Sequence, residues 1–166
     1  MMRRIVLILT ILMLPACGLH PLYAGGSSGS VAPVLRSVKV APIPGQSGWL
    51  MHNKLVDRLG ESGDADPAYR LDVTLDDNIM SFGLRTDQAA TQERRTLRAR
   101  FQLVDLRSGL VVLDATAGSD AGIDIVSSEY ATVAAEQTAL ENLSDIVADQ
   151  IVSRLGVYAA RTTPAK

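Results

Sequence analysis

A strict two-residue alternation between residues 69 and 76 constrains the fold more than any other feature of the sequence. Its apolar members are Tyr69, Leu71, Val73 and Leu75, and its polar members are Arg70, Asp72, Thr74 and Asp76. Successive side chains of a β-strand point to opposite faces, so this pattern predicts a strand with one buried face and one solvated face. Such a strand belongs to a sheet that is covered on one side only. The fold must therefore contain a second layer.

Three further segments predict strands of the same sheet: residues 34–41, 94–106 and 110–117. The inward side chains of the 94–106 segment are Leu97, Ala99, Phe101 and Leu103. The short Ser108-Gly109 connection predicts an antiparallel hairpin between the last two strands. Residues 78–91 break the alternation, and we expect an extension of the preceding strand there, followed by a turn near residues 86–90. Residues 118–127 are expected to form a polar loop.

Two segments have the three-to-four-residue spacing of helices. Residues 48–59 stack Met51, Leu55 and Leu59, with Ser47 as the expected N-cap. Residues 129–155 form the longer helix, which Ser128 is expected to cap and Gly156 to end. Its predicted buried stripe is Val133, Gln137, Leu140, Leu143, Val147, Ile151 and Leu155.

The order of these elements predicts the architecture. A helix between the first two strands indicates a right-handed crossover, which makes those two strands parallel. The other strands should run antiparallel, and both helices should cover the single apolar face. We therefore predict an α+β fold, a two-layer sandwich of a four-stranded mixed sheet with two helices packed on one face, in the order β-α-β-β-β-α.

The N-terminal segment has the layout of a secretory signal peptide. Arg3 and Arg4 precede a short apolar run that ends in Leu14-Pro15-Ala16-Cys17. The run is shorter than the roughly 20 residues that a membrane-spanning helix needs. A Cys directly after the small Ala16 resembles the bacterial lipobox, in which the Cys thiol receives a diacylglyceryl group. We therefore expect a signal peptide at 1–16, lipid attachment at Cys17, a flexible Gly/Ser-rich tether at 17–33, the folded domain at 34–158 and a disordered tail at 159–166.

Charge and composition exclude several classes of function. Cleavage before Cys17 removes Arg3 and Arg4 from 16 basic side chains but none of the 18 acidic ones, so a net charge of −2 becomes −4. An acidic domain does not suit nucleic acid as a general partner. The two histidines, His20 and His52, lie far apart in the sequence, and no catalytic triad, metal-ligand cluster or phosphate-binding Gly loop can be assembled. We expect no enzyme activity, no cofactor and no metal.

Several segments together resemble the LptE family of LPS-assembly lipoproteins. They are residues 14–23 (LPACGLHPLY), 84–91 (LRTDQAAT), 128–136 (SEYATVAAE) and 149–155 (DQIVSRL). The resemblance implies the fold predicted above. It also implies a lipid-anchored, periplasm-facing protein that plugs or braces the LptD-type outer-membrane β-barrel and helps it to insert LPS, with direct binding of LPS as a further expectation. Gly18 after the Cys, where Asp would favour inner-membrane retention, favours the outer membrane.

Two other functions stay open at this level. An accessory lipoprotein of another envelope system, such as phospholipid transport, could share the anchor and a small α+β domain. A structural lipoprotein without a ligand could do so as well.

A row of arginines is the candidate anion-binding site. Alternation places Arg98 and Arg100 on the solvated side of the sheet, Arg94 continues the row, and Arg95 lies at its irregular start. Guanidinium groups at strand spacing match the phosphates of an LPS head group. The competing interpretation is that outward acids of the neighbouring strand, Asp72 and Asp76, pair with these arginines and leave ordinary surface charge.

Overall fold

The computed structural model describes residues 31–60, 66–84, 90–126 and 128–162. Its elements are α1 (Ala32–Arg36), β1 (Val38–Val40), α2 (Gln46–Leu59), β2 (Tyr69–Leu84), β3 (Ala90–Asp105), β4 (Val111–Asp124) and α3 (Glu129–Thr162). The four strands form one sheet in the order β1-β2-β3-β4. β1 is parallel to β2, and the other neighbouring pairs are antiparallel.

The two long helices cover one face of this sheet, which confirms the predicted α+β class. The core lies between the layers because its members from β2 and β3 are odd-numbered residues that point toward the helices; Leu71, Leu97, Phe101 and Leu103 are among the most buried. From α3 the core receives Leu140, Leu143, Val147, Ile151 and Leu155, as the periodicity predicted. Val133, the first predicted member of that stripe, is exposed, and Gln137, the second, is only partly buried.

The helix boundaries differ from the sequence prediction at both helices. α2 begins at Gln46 after Gly45, whose φ of 85° favours glycine, and Ser47 is not its cap. Ser128 does cap α3, since its Oγ accepts a hydrogen bond of 3.4 Å from the Ala131 N–H. Gly156 does not end α3 and is a buried residue within the helix. The helix therefore continues to Thr162, into the predicted tail, of which residues 163–166 lie outside the described residues.

The N-terminal boundary of the domain is earlier than predicted. The 34–41 strand is wrong in its first half: residues 32–36 form α1, and β1 has only three residues. Pro33 lies in the first turn of α1, where its fixed φ suits a helix and its missing N–H costs nothing. Val31, with 8% of its surface exposed, belongs to the core cluster together with Leu35. The C-terminal end of the predicted 17–33 tether is therefore part of the domain.

The central hairpin is longer than the alternation suggested. β2 continues to Leu84 and β3 begins at Ala90, so the irregular 78–91 segment is mostly strand; its expected turn falls largely on residues outside the described ranges. The predicted polar loop at 118–127 is wrong over residues 118–124, which pair with β3 from Gly118↔Arg98 to Asp124↔Gln92. Ladder hydrogen bonds to β3 override the polar, glycine-containing sequence there.

Candidate anion-binding surface

The face of the sheet opposite the helices is uncovered and highly charged. Following the strand registers, its basic side chains are Lys39, Arg70, Arg94, Arg98 and Arg100, and its acidic ones are Asp72, Asp76, Asp114, Asp120 and Asp124. Bases and acids are equal in number, so this open face as a whole is not basic. A binding site for an anion on it must come from the individual arginines that lack acidic partners.

Arg95 does not belong to the open face, which corrects the predicted row. It is an odd-numbered residue of β3 and points toward α3, as do Leu97 and Ala99. Its Nη2 lies 2.7 Å from Asp77 Oδ2, and its Nη1 donates a hydrogen bond of 2.9 Å to the Glu136 carbonyl. Arg95 therefore joins the two layers of the domain and is not available to a ligand.

Arg94 and Arg100 lie on the open face as predicted, but both have acidic neighbours. The Arg100 guanidinium donates two hydrogen bonds to Asp114, of 2.8 and 3.2 Å, and lowers the pKa of Asp114 to about 2. Gln102 adds a smaller lowering of that pKa through its own hydrogen bond. Arg94 lies 3.8 Å from Asp120 and stacks over the Phe82 ring, 5.5 Å from its centroid.

The acids that pair with the arginines are not those that the sequence suggested. Asp72 pairs with Arg70 of its own strand at 2.9 Å, and Asp76 makes no ion pair within the described part of the chain. The partners of Arg100 and Arg94 come instead from β4: Asp114 lies in the predicted 110–117 strand, whereas Asp120 lies in residues 118–124, which were expected to be a loop. Open-face arginines therefore do pair with surface acids, as the competing interpretation held, but Arg98 does not.

Arg98 is the open-face arginine of β3 for which the described residues provide no ion-pair partner. Its stem lies over Gly118 of β4, so closely that a Cβ at Gly118 would come within 3.2 Å of Arg98 Cγ. The absence of a side chain at Gly118 leaves room for the Arg98 stem at this point of β4. A groove of about 470 Å³ opens beside it, and its charged lining residues are Arg98, Arg100, Asp76 and, from α3, Arg154.

Arg154 is the site residue that the sequence did not reveal. In the sequence, Arg154 is a basic residue near the C-terminal end of a helix, where the helix dipole favours a positive charge even without a ligand. The structure brings it to the groove because Gln150, one helical turn earlier, is fixed to Gly118: its Oε1 accepts from the Gly118 N–H at 3.2 Å and its Nε2 donates to the Gly118 carbonyl at 3.3 Å. Arg154 makes no ion pair within the described ranges either.

The groove therefore combines two guanidinium groups that form no ion pair within the described residues with the hydroxyls of Thr74 and Thr116. It also contains one carboxylate, Asp76, which lies opposite Arg98 in the strand register without forming an ion pair with it. Such a set of donors suits an anion with several oxygens, such as a phosphate. Within residues 31–60, 66–84, 90–126 and 128–162 there is no cluster of three or more side chains that could hold a metal ion. None of the helices in these ranges is long and apolar enough to cross a membrane.

The model of a lipopolysaccharide-assembly family, LptE, matches residues 35–155. The chain belongs to the LptE family. The family resemblance predicted from the sequence is thereby confirmed, and this LptE-family chain is placed among the lipoproteins of LPS assembly. A search of curated protein sequences found no match.

Solved structures of other lipoproteins share this fold. A candidate lipoprotein from Caulobacter crescentus CB15 is 26% identical and superimposes with a TM-score of 0.66, over 82% of this chain and 100% of that one. Rare lipoprotein B from Shewanella oneidensis is 11% identical with a TM-score of 0.58, over 75% of this chain and 95% of that one. A minor lipoprotein from Acinetobacter baumannii is 18% identical with a TM-score of 0.56, over 74% and 92%. The last two similarities concern the fold alone.

Proposed function

We propose that this LptE-family protein is a non-catalytic, lipid-anchored subunit that binds the LptD-type outer-membrane barrel and contacts LPS phosphates through the groove of Arg98 and Arg154. Family membership supports the role in LPS assembly. The observation that carries the binding site is the convergence on one groove of two arginines that form no ion pair within the described residues, whereas Arg94, Arg95 and Arg100 each pair with an acid. The one acid of the groove, Asp76, lies opposite Arg98 but does not pair with it. A guanidinium without an ion pair gives up only water when it binds a phosphate, whereas a paired one must also give up its carboxylate, so the unpaired groups favour binding.

The proposed anchor is the lipid on Cys17, which would hold the domain at the periplasmic surface of the outer membrane. The domain core begins at Val31, only 14 residues after Cys17. A Gly/Ser-rich chain of that length has a root-mean-square span of roughly 20 Å. At least two acyl chains are needed for stable attachment, because one chain binds membranes only marginally.

The LPS site can be tested with a pair of double variants. Arg98→Ser with Arg154→Ser should lower LPS affinity severalfold at low salt, and less at high salt, because the lost interaction is electrostatic. The matched control, Arg70→Ser with Arg94→Ser, removes two open-face arginines that already have acidic neighbours and should change affinity much less. Both variants should keep the circular dichroism spectrum of the parent. An unchanged affinity in the first variant, or an equal loss in both, would contradict the proposed groove.

The barrel partner can be tested by co-purification in mild detergent followed by mass spectrometry. The full-length protein should retain an outer-membrane β-barrel, and the intact mass should show acylated Cys17. Cys17→Ser should lose the lipid and reduce the recovered barrel. Recovery of an inner-membrane transporter complex in its place would support the phospholipid-transport alternative.

A further inference from the structure

We propose that the free edge of β2, residues 75–81, accepts a β-strand from the barrel partner, so that the partner extends the sheet. This inference rests on the proposed function for the identity of the partner. It concerns how the two proteins are joined, which family membership does not specify. Four observations on the described residues support it.

The first observation is that β2 lacks a neighbour along most of one side. β1 pairs with β2 only from Val38↔Tyr69 to Val40↔Leu71, whereas β2 continues to Leu84. Pro42 and Pro44 then carry the chain away from the sheet, since proline cannot donate to a ladder. Beyond Leu71 no other described strand lies on that side of β2.

The second observation is that the backbone groups on this edge have a known direction. The Tyr69 N–H donates to Ser37 O, and the Leu71 carbonyl accepts from the Ala41 N–H, so odd-numbered residues of β2 present their backbone groups away from β3. By the alternation of an antiparallel ladder, Leu75, Asp77, Ile79 and Ser81 do the same. Their N–H and C=O groups form an unoccupied template for another strand.

The third observation is that the opposite edge of the sheet is occupied at Gly118. At Gly118 of β4 the Gln150 side-chain amide both accepts from the backbone N–H and donates to the carbonyl, as a neighbouring strand would. α3 also packs against β4. The described residues place no such side-chain amide on the β2 edge beyond Leu71, and that edge is open to strand addition.

The fourth observation defines the chemistry of the incoming strand. Asp76 is exposed and has no ion-pair partner in the described part of the chain. Farther along β2, Met80 and Phe82 expose 68% and 42% of their surfaces. A matching strand carries a basic side chain beside Asp76 and apolar or aromatic side chains beside Met80 and Phe82.

Residue-resolved amide hydrogen exchange on the purified complex with the barrel tests this inference. In the protein alone, the even-numbered amides of residues 76–80 should be protected by β3, and those of Leu75, Asp77, Ile79 and Ser81 should exchange faster. In the complex, these four odd-numbered amides should slow by roughly tenfold or more. A complex that forms without that change would overturn strand addition and leave the proposed function intact. The same protection in the protein alone, rising with concentration, would assign the edge to a second copy instead.

A pair of substitutions at Ile79 gives an independent test. Ile79→Pro removes an N–H that faces the free edge and is compatible with an edge strand, whereas Ile79→Thr keeps that N–H and changes a similar amount of side chain. We expect Ile79→Pro to reduce barrel recovery severalfold, and Ile79→Thr to retain it, with equal melting temperatures in the absence of the barrel. Equal recovery of both variants would contradict the role of the backbone edge. Loss of the barrel from the unsubstituted protein would contradict the proposed function itself.

Discussion

Arg94 and Arg95 are neighbours in the sequence but belong to opposite faces of one sheet, and their surroundings differ accordingly. Arg94 is exposed on the open face, where its ion pair with Asp120 spans 3.8 Å. The Arg95 side chain exposes only 12% of its surface and bonds to Asp77 at 2.7 Å on the face that α3 covers. The same side chain is thus a surface charge at one position and a structural bridge at the next. The position of a residue in the two-residue alternation decides which role it takes.

The largest expected difference between the two faces is in packing. Phe101→Ala on the covered face should lower the free energy of unfolding by about 3–5 kcal/mol, because it leaves a cavity in the core between the sheet and the helices. Gln102→Ala, one residue later on the open face, should change it far less. Urea denaturation of both variants measures this difference. Equal losses would mean that the open face is packed in solution.

The next test concerns the buried ion pair. Asp77→Ala should cost about 2 kcal/mol, because it leaves the Arg95 charge between the two layers without its acid. This lies below the cost for a fully buried pair, since both side chains keep some exposure. Replacing both residues, with Asp77→Leu and Arg95→Met, should recover much of the loss. A double variant less stable than Asp77→Ala would show that the pair itself stabilises the fold.

A smaller effect is expected where the two helices meet. Asp145 of α3 accepts hydrogen bonds from Lys54 and Arg58 of α2, each at 2.9 Å. Asp145→Asn should cost about 1 kcal/mol at neutral pH, because the group is partly exposed and screened by solvent. The loss of folding stability caused by Asp145→Asn should become smaller in acid. Lys54, and to a lesser degree Arg58, lowers the pKa of Asp145, so its contribution is complete above the unfolded pKa of about 3.9 and disappears as the pH falls through the lower folded value. A deficit that does not change between pH 7 and pH 2 would contradict this assignment.

The smallest effect on stability is expected from the exposed pair of Arg100 and Asp114. Arg100→Ser should leave the melting temperature nearly unchanged, since the pair is solvated. It should nevertheless raise the pKa of Asp114 from about 2 toward the ordinary value of about 3.9, which NMR titration of the carboxyl group can follow. Arg94→Ser, which does not touch Asp114, is the control and should leave that pKa unchanged.

The sequence predicted the layers and the strand order because alternation and helical spacing are local properties of the chain. It could not predict that residues 118–124 form a strand, since that depends on pairing with β3, which is not local. The same dependence on non-local pairing explains why the sequence predicted the binding groove only in part. Arg98 and Arg100 were placed correctly on the solvated face, but their different pairing follows from Asp114 and Gly118 on β4. Arg154 lies at the groove because Gln150 is hydrogen-bonded to Gly118, and these two residues are distant in the sequence.

The length of the central hairpin is set by its two strands, which are equally long. β2 and β3 have 16 residues each, so the hairpin spans about 50 Å from the end beside β1, where the chain leads back toward Cys17, to its tip. This exceeds the roughly 30 Å of a bilayer's hydrocarbon core. During evolution such a hairpin can grow or shrink without reversing its faces only when each strand changes by an even number of residues. A single residue inserted before Arg94 would move every side chain between the insertion and the tip to the opposite face of the sheet. Two inserted residues would keep each side chain on its face and would change the length of the strand by about 7 Å.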